Sequence, residues 1–377
     1  LLRLLVGWRS LAGCLTEDVD ATCAAGSGPC GTSAGAYYWP TQKGTLGRTG
    51  FSPHRVPDIS KKPAWSWSDP YDDTIRATPL IDDRMNIFLS TVAGRIYKFD
   101  VDGNVLWRRE LPFKTLVVGC LHDGKFIIAT GTGLLVALDM ETGVDLWRSA
   151  ISSVNVTAAD TGSLAVYDGL VVSATHNSTD ILHGNSDVVA VRAKDGGIVW
   201  RYVPEVHVYN FQALIPEDGT FVFQDRAGGL YRLNLTDGRE IWKSGKRGPP
   251  WSETFTTGAT VSHAGKLFAV SNRGASPNIP SAGILHVYKL EDGSPVWEQD
   301  LLYAANQAVA IGPHPAEKGR SIAVVGFGAN PGFPLALSWY AEYGLAMAAL
   351  GKYIDRWFSW LIKKSASAMA AYDVETG

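Results

Sequence analysis

The sequence predicts an all-β fold assembled from one repeated four-stranded unit. A Gly-x-x-x-Trp step occurs five times, and successive tryptophans of the step lie 40, 53, 42 and 55 residues apart. Each step follows a short apolar stretch of strand length and a polar turn. The 377 residues also include 40 glycines and 13 tryptophans, which fits many tight turns and a large core residue that recurs. A repeat of this length indicates stacked units that complete their cores against their neighbours.

The glycine and the tryptophan of the step have separate structural roles. Glycine tolerates the left-handed backbone conformation that closes a tight hairpin. A tryptophan at a fixed height on each unit can fill the gap between neighbouring sheets and donate its N–H to a neighbouring turn. The steps are Gly103/Trp107, Gly143/Trp147, Gly196/Trp200, Gly238/Trp242 and Gly293/Trp297. A sixth turn of this kind, Asp373-Val-Glu-Thr-Gly377, ends the sequence.

Four short antiparallel strands in each unit make a β-propeller the predicted architecture. Lys125–Thr130 and Gly133–Leu138 are examples of such strands, separated by turn residues. A repeat near 40 residues with four strands is typical of a propeller blade, and longer spacings indicate blades with insertions. About six blades can be traced over residues 37–377, and the sixth lacks its last strand. Because an open ring would expose unpaired sheet edges, we expect the chain to be a fragment of a larger propeller.

Two segments precede the regular repeats. Residues 1–36 form an irregular leader that contains Cys14, Cys23 and Cys30. A local disulfide, with Cys23 and Cys30 the simplest pair, would indicate an oxidising compartment, and free thiols are the alternative. Ala64-Trp-Ser-Trp67 is expected to form a short aromatic strand that seals the sheet of a neighbouring unit.

The repeated Asp-x-x-Thr-Gly-x-x-x-Trp unit resembles the tryptophan-docking motif of pyrroloquinoline-quinone (PQQ) repeat propellers. The opening residues Trp39-Pro, Gly44, Arg48-Thr-Gly50 and Ser52-Pro53 are also similar to the start of many such domains. The resemblance covers roughly residues 39–377 and implies a propeller of seven or eight blades when complete. It also implies two classes of activity, because the family includes quinone-dependent dehydrogenases and non-catalytic scaffolds. One such scaffold is the lipoprotein propeller of the bacterial outer-membrane assembly machinery.

The sequence shows neither the adjacent cysteines nor an Asp/Asn cluster suited to calcium that the dehydrogenases of this family would lead us to expect. The resemblance implies a quinone held by a disulfide between adjacent cysteines, a stacking tryptophan and a calcium ion with acidic and amide ligands. This chain has no adjacent cysteine pair, and Cys120 is expected to be an inert core residue. We therefore predict no catalytic residues, no metal site and no cofactor. PQQ and calcium are expected only if their ligands lie in further blades.

The longest insertions are predicted to emerge on one face of the disc. Residues 176–187, 272–283 and 329–366 each fall between the second and third strands of a blade, and connections of that kind share one face. The third insertion has the composition and periodicity of an amphipathic helix over residues 335–364. Its broad apolar arc is aromatic and contains Trp339, Tyr340, Tyr343, Tyr353, Trp357, Phe358 and Trp360. This helix could cover its own propeller, dock on a partner protein or lie in a lipid interface.

These patterns favour a non-catalytic β-propeller scaffold, an accessory subunit that docks on a membrane-associated protein complex. The expected location is non-cytosolic (secretory, periplasmic or organelle lumen) and peripheral to a membrane, with membrane-surface contact through residues 335–364. A net charge of −3 and the absence of a basic stripe argue against nucleic acid as a partner. The alternatives are a PQQ-dependent dehydrogenase with cofactor ligands in missing blades, and a ligand-binding propeller.

Overall fold

The protein is represented by a computed structural model that describes residues 37–52, 62–115, 117–152, 162–175, 185–245, 253–254, 260–273, 283–305, 308–328 and 367–377. The predicted leader 1–36, with Cys23 and Cys30, lies outside the described residues. So does the predicted helical insertion 329–366, with its seven aromatic residues.

Strands in the described ranges form six antiparallel sheets, and no helix occurs among these residues. The all-β propeller prediction is confirmed, and the sheets are numbered here as blades 1 to 6 in chain order. Blade 1 contains β1 (Leu80–Ile81), β2 (Ile87–Ser90), β3 (Arg95–Phe99) and β4 (Val105–Glu110). Blade 2 contains β5 (Cys120–His122), β6 (Lys125–Ala129), β7 (Leu134–Asp139) and β8 (Asp145–Ala150). Blade 3 contains β9 (Ala165–Tyr167), β10 (Leu170–Thr175), β11 (Asp187–Arg192) and β12 (Ile198–Tyr202).

The remaining blades vary this plan. Blade 4 contains β13 (Thr220–Gln224), β14 (Leu230–Asn234) and β15 (Glu240–Ser244), and a Leu214–Val222 bridge takes the innermost position. Blade 5 contains β16 (Glu253–Thr254), β17 (Thr260–His263), β18 (Lys266–Arg273), β19 (Gly283–Lys289) and β20 (Pro295–Leu301). Blade 6 contains β21 (Ala310–Pro313), β22 (Ser321–Gly328) and β23 (Ser367–Asp373).

The core consists of apolar layers between successive blades. One layer joins blades 2 and 3 through Ile127, Ala137, Val171 and Val189, and each of these side chains is fully buried. Comparable layers lie between each of the other successive pairs. The middle strands are buried on both faces, so they consist of continuous apolar runs, whereas the outermost strands alternate between exposed and half-buried side chains.

A β-bulge precedes the tryptophan on the outermost strand of blades 1 to 5. In blade 2, Ala137 pairs with Trp147 and Leu138 pairs with Asp145, so Leu146 has no partner across the ladder. The same register shift occurs in the other four blades. The unpaired residues are aliphatic and largely exposed: Leu106, Leu146, Val199, Ile241 and Val296. A bulge inserts one residue and thereby re-aims the next side chain, here the tryptophan, towards the following blade.

This arrangement gives the disc two different faces. In a four-stranded antiparallel blade, the first and third hairpin turns lie on one edge, and the second turn and the connection to the next blade lie on the other. We call these edges the turn face and the loop face. In blade 5, β16 and β17 both pair with β18 and together take the first position, so β18 and β19 occupy the second and third. Residues 176–184, 274–282 and 329–366 then lie between the second and third strand positions of blades 3, 5 and 6, and all three connections leave from the loop face.

Deletion of Leu146 should destabilise the protein much more than its replacement. Without the extra residue the strand shifts by one position, and Trp147 is turned away from blade 3. We expect a loss of about 2–4 kcal/mol in the free energy of unfolding, measured by guanidinium denaturation. Leu146→Ser is the matched control and should stay within about 0.5 kcal/mol of the parent protein, because the side chain is exposed. Equal losses in both variants would contradict a register role for the bulge.

Candidate functional site: the docking turns and the propeller axis

Each outer-strand tryptophan of blades 1 to 4 docks on the turn of the following blade. The indole N–H of Trp107 donates to the Met140 carbonyl at 3.0 Å. Trp147 donates in the same way to Ala193 at 3.0 Å, Trp200 to Leu235 at 2.7 Å and Trp242 to Leu290 at 3.2 Å. Trp297 lies against Gly377, but its buried N–H has no acceptor among the described residues.

The glycines in these turns are required for two reasons. Gly143 has a φ of 71°, in the left-handed region that side chains rarely adopt. In addition, a Cβ on Gly143 would lie 2.9 Å from Cε3 of Trp107, which is too close for the ring to keep its position. Gly196, Gly238 and Gly293 combine positive φ with the same close approach to the preceding tryptophan.

Aspartate and threonine build the docking turn that receives the ring. Oδ1 of Asp139 accepts from the Thr142 amide and the Thr142 hydroxyl, each at 2.8 Å. Asp373 and Thr376 make the corresponding contacts in blade 6 at 3.0 and 3.1 Å. These bonds satisfy backbone donors that the turn leaves without a ladder partner, which explains the Asp-x-x-Thr-Gly pattern.

A sixth docking tryptophan was not recognised from the sequence as a member of the repeat. The indole N–H of Trp65 donates to the Val101 carbonyl at 3.0 Å, and a Cβ on Gly103 would lie 2.6 Å from its ring. Trp65 therefore docks on blade 1 as Trp107 docks on blade 2. The Gly-x-x-x-Trp pattern is absent here because Lys61 occupies the position of the glycine. The aromatic pair Trp65 and Trp67 is the one sequence feature that indicates a blade contact.

Two docking carbonyls accept a second hydrogen bond from a basic side chain. Lys98 pairs with Trp107 across the ladder, and its Nζ donates to the same Met140 carbonyl at 2.9 Å. Arg232 pairs with Trp242 and donates to the Leu290 carbonyl at 2.7 Å. Each base thereby reinforces the contact between one blade and the next.

Residues 39–50 contact all six blades in order and are called the axial segment. Trp39 exchanges two backbone hydrogen bonds with Ile81 of blade 1, at 2.9 and 3.0 Å. The later contacts progress around the ring: Pro40 with Leu121, Thr41 with Leu164, Leu46 with Ile215, Gly47 with Ser262 and Thr49 with Ile311. Ile81 and Ser262 lie at or near the ends of β1 and β17 that lead into the first turns, whereas Leu164 and Ile311 lie near the beginnings of β9 and β21. The segment therefore lines the axis of the ring along the innermost strands.

Arg48 fixes the axial segment to blades 3 and 4. Its guanidinium donates to Ser163 Oγ at 3.1 Å, to Gln212 Oε1 at 2.8 Å and to the Ala213 carbonyl at 3.4 Å. It also donates to Gln42 Oε1 within the segment at 2.9 Å. The side chain is 0% exposed. Burial lowers the pKa of Arg48 to about 9.

The described residues provide no obvious catalytic or metal centre. Cys120 lies in the layer between blades 2 and 3, and burial raises the pKa of its thiol. Within the ranges given above, no three His, Cys, Asp or Glu side chains come together in an arrangement that could hold a metal. The same ranges contain no helix with the length and apolarity needed to cross a membrane.

Comparison with known proteins identifies relatives of two kinds. A family model described as outer membrane protein assembly factor BamB matches residues 92–283 and 161–328. BamB of Nitrosomonas eutropha is 25% identical over 249 residues, which are 63% of this chain and 54% of that protein. A polyvinylalcohol dehydrogenase of a Sphingopyxis species is 26% identical over 245 residues, which are 60% of this chain and 33% of that protein. The chain thus spans between about a third and about half of these two relatives.

A solved structure supports the fold. The crystal structure of BamB from Moraxella catarrhalis has a TM-score of 0.50 and 17% sequence identity to this chain. The similarity covers 71% of this chain and 76% of that one. At this identity the likeness establishes the propeller architecture.

Alanine at Gly143 should cost more stability than alanine at Gly124. The two glycines have φ values of 71° and 70°, but Gly124 has open space where a Cβ would point. Gly124→Ala should therefore cost only the left-handed backbone conformation, about 1–2 kcal/mol. Gly143→Ala adds the clash with Trp107 and should cost about 2–4 kcal/mol. Urea denaturation monitored by tryptophan fluorescence measures both values, and equal losses would mean that the ring contact does not matter.

Proposed function

The chain belongs to the PQQ-repeat family of β-propellers, and from this premise we propose that it is a non-catalytic scaffold that docks on a membrane-associated protein complex. The observation that carries the proposal is the asymmetry of the disc. The turn face consists of short docking turns, whereas all three long second-to-third-strand insertions leave from the loop face. Elaborated loops on a rigid scaffold are where binding residues usually lie.

The aromatic insertion on blade 6 is the proposed docking element. Its seven aromatic residues belong to the types that dominate protein interfaces and membrane-interface contacts. Trp339, Tyr343, Trp357 and Trp360 are the residues expected to contribute most to partner contact. The names of the BamB relatives place those proteins in outer-membrane protein assembly, which supports a protein partner at a membrane and a non-cytosolic location.

The described axis does not fit a calcium ion of the kind that accompanies the quinone in dehydrogenases. Calcium takes six to eight oxygen ligands, usually with carboxylates among them. The axial side chains instead include Lys43 and Arg48, and every hydrogen bond that these two cations donate ends on a neutral oxygen. Two cations at the centre of the ring would repel a third. We therefore assign no reaction step to a quinone or a metal in this part of the propeller.

Deletion of residues 335–364 is expected to reduce membrane association by at least about tenfold, because clustered aromatic anchors commonly contribute more than 2 kcal/mol to an interface. A short Gly/Ser linker would reconnect β22 to β23. The measurement is co-sedimentation of the purified protein with native membranes. In the matched control, the same linker replaces residues 178–183 of blade 3, an insertion without aromatic residues that leaves from the same face. This variant should bind membranes as the parent protein does.

Three further results separate the interpretations of this insertion. Binding to native membranes that is lost after protease treatment of those membranes supports a protein partner. Equal binding to protein-free vesicles would assign the insertion to the lipid interface. Unchanged sedimentation of the deletion variant, together with a large fall in its melting temperature, would show that the insertion covers its own propeller and would end the docking proposal.

A dehydrogenase is the second candidate, because the polyvinylalcohol dehydrogenase relative has similar sequence identity to this chain. We expect that full-length protein incubated with PQQ and calcium will retain no quinone after gel filtration and will show no dye-linked alcohol oxidation. The positive control is a known quinoprotein dehydrogenase reconstituted in parallel. Stoichiometric quinone together with alcohol oxidation would replace the scaffold proposal with an enzyme.

A further inference from the structure

The axial segment carries two cations, Arg48, which is fully buried, and Lys43, which is partly buried. Each hydrogen bond that Arg48 donates to a described residue ends on an amide, hydroxyl or carbonyl oxygen. Its Nε is buried as well and has no acceptor among the residues that the structure describes. A buried guanidinium with only neutral partners retains most of its desolvation cost.

Lys43 brings the second charge to the same place. Its Nζ donates to the carbonyls of Ala308 at 3.0 Å and Val309 at 3.3 Å, which are again neutral oxygens. An ammonium has three donors, so one remains after these two bonds. Burial, followed by repulsion from Arg48, lowers the pKa of Lys43 to about 8. Lys43 Nζ also lies beside Gly50, two residues from Arg48 in the chain, because a Cβ on Gly50 would be 3.8 Å from that nitrogen.

Two other bases, one buried and one partly buried, lie next to carboxylates. Lys98 is 1% exposed and lies 3.5 Å from Glu141, and Arg95 lies 3.6 Å from Asp69 and 3.5 Å from Asp73. Among the described residues, neither Lys43 nor Arg48 forms an ion pair. Buried charges in proteins are normally paired, so two neighbouring cations without a counter-charge indicate a site for an anion.

We propose that the propeller axis holds an oxyanion-binding site formed by Lys43 and Arg48. The remaining donor of Lys43 and the Nε–H of Arg48 are the groups that would hold the ligand. The ligand class is a small oxyanion, either inorganic phosphate or the carboxylate of an organic acid or peptide. Because both cations belong to the axial segment, the bound anion would also hold that segment in the ring. The site goes beyond the scaffold function and does not depend on it.

The test compares the thermal stability of the full chain in phosphate, succinate and chloride at equal ionic strength and pH 7. Phosphate or succinate should raise the melting temperature of the parent protein by about 2–4 °C relative to chloride, since a ligand that binds only the folded state stabilises it. Lys43→Met should lose most of this increment, and Lys43→Arg should keep it. Lys125→Met, which removes a lysine paired with Asp123 in a turn of blade 2, is the matched control and should respond as the parent does.

The arms of the experiment identify the source of the oxyanion. A rise in phosphate alone indicates inorganic phosphate, and a rise in succinate indicates a carboxylate ligand. Phosphate also stabilises proteins in general, because it is excluded from their surface. This non-specific rise in melting temperature should be the same in every variant. The proposal is overturned if the increment is equal in the parent protein, Lys43→Met and Lys125→Met, or if neither anion exceeds chloride. Isothermal titration of the folded parent with the effective anion should give saturable binding, which Lys43→Met weakens at least about tenfold.

Discussion

The circular arrangement of the blades depends on one contact, in which the indole of an outer-strand tryptophan packs against a glycine of the following blade. The ring of Trp107 rests where a Cβ of Gly143 would be, and its N–H donates to the neighbouring Met140 carbonyl. A bulge at Leu106 turns the ring to the correct side of the strand. The bulge therefore sets the orientation of the indole, Gly143 leaves room for it, and the Met140 carbonyl accepts its N–H. The same ring-on-glycine contact recurs from blade 1 to blade 6, and the indole hydrogen bond accompanies it in blades 1 to 4.

The axial segment adds a different kind of connection. The tryptophans join each blade only to the next, whereas residues 39–50 bond to all six blades in turn. Cooperativity among repeats normally falls with distance along the array, because each repeat touches only its neighbours. A segment that contacts all six described blades couples blades that do not touch one another. Arg48 is central to this coupling, since it bonds to blades 3 and 4 and to Gln42 of its own segment.

The features that could be predicted from the sequence are those with a local, repeated signature. Gly143 and Trp147 are four residues apart in every copy of the unit, so the blades and their docking turns were visible without a structure. Trp65 lacked the glycine of the pattern and was recognised only as part of an aromatic strand. The roles of Lys43 and Arg48 could not be predicted, because their contacts join residues more than a hundred positions apart and do not repeat. The insertion at 335–364 is known by its composition alone, and composition identifies apolar surface without showing what covers it.

The bulge on the outermost strands has a further consequence at the rim of the disc. An edge strand presents unpaired backbone groups that can add the strand of another molecule, the first step of aggregation. Bulges interrupt the regular spacing of those groups, and charged side chains oppose close approach of a second strand. Here the unpaired Leu146 is followed two residues later by Arg148, and Ile241 is followed by Lys243 in the same way. The bulge that directs each tryptophan towards the following blade thus also protects the outer edge of the disc from strand pairing with other molecules.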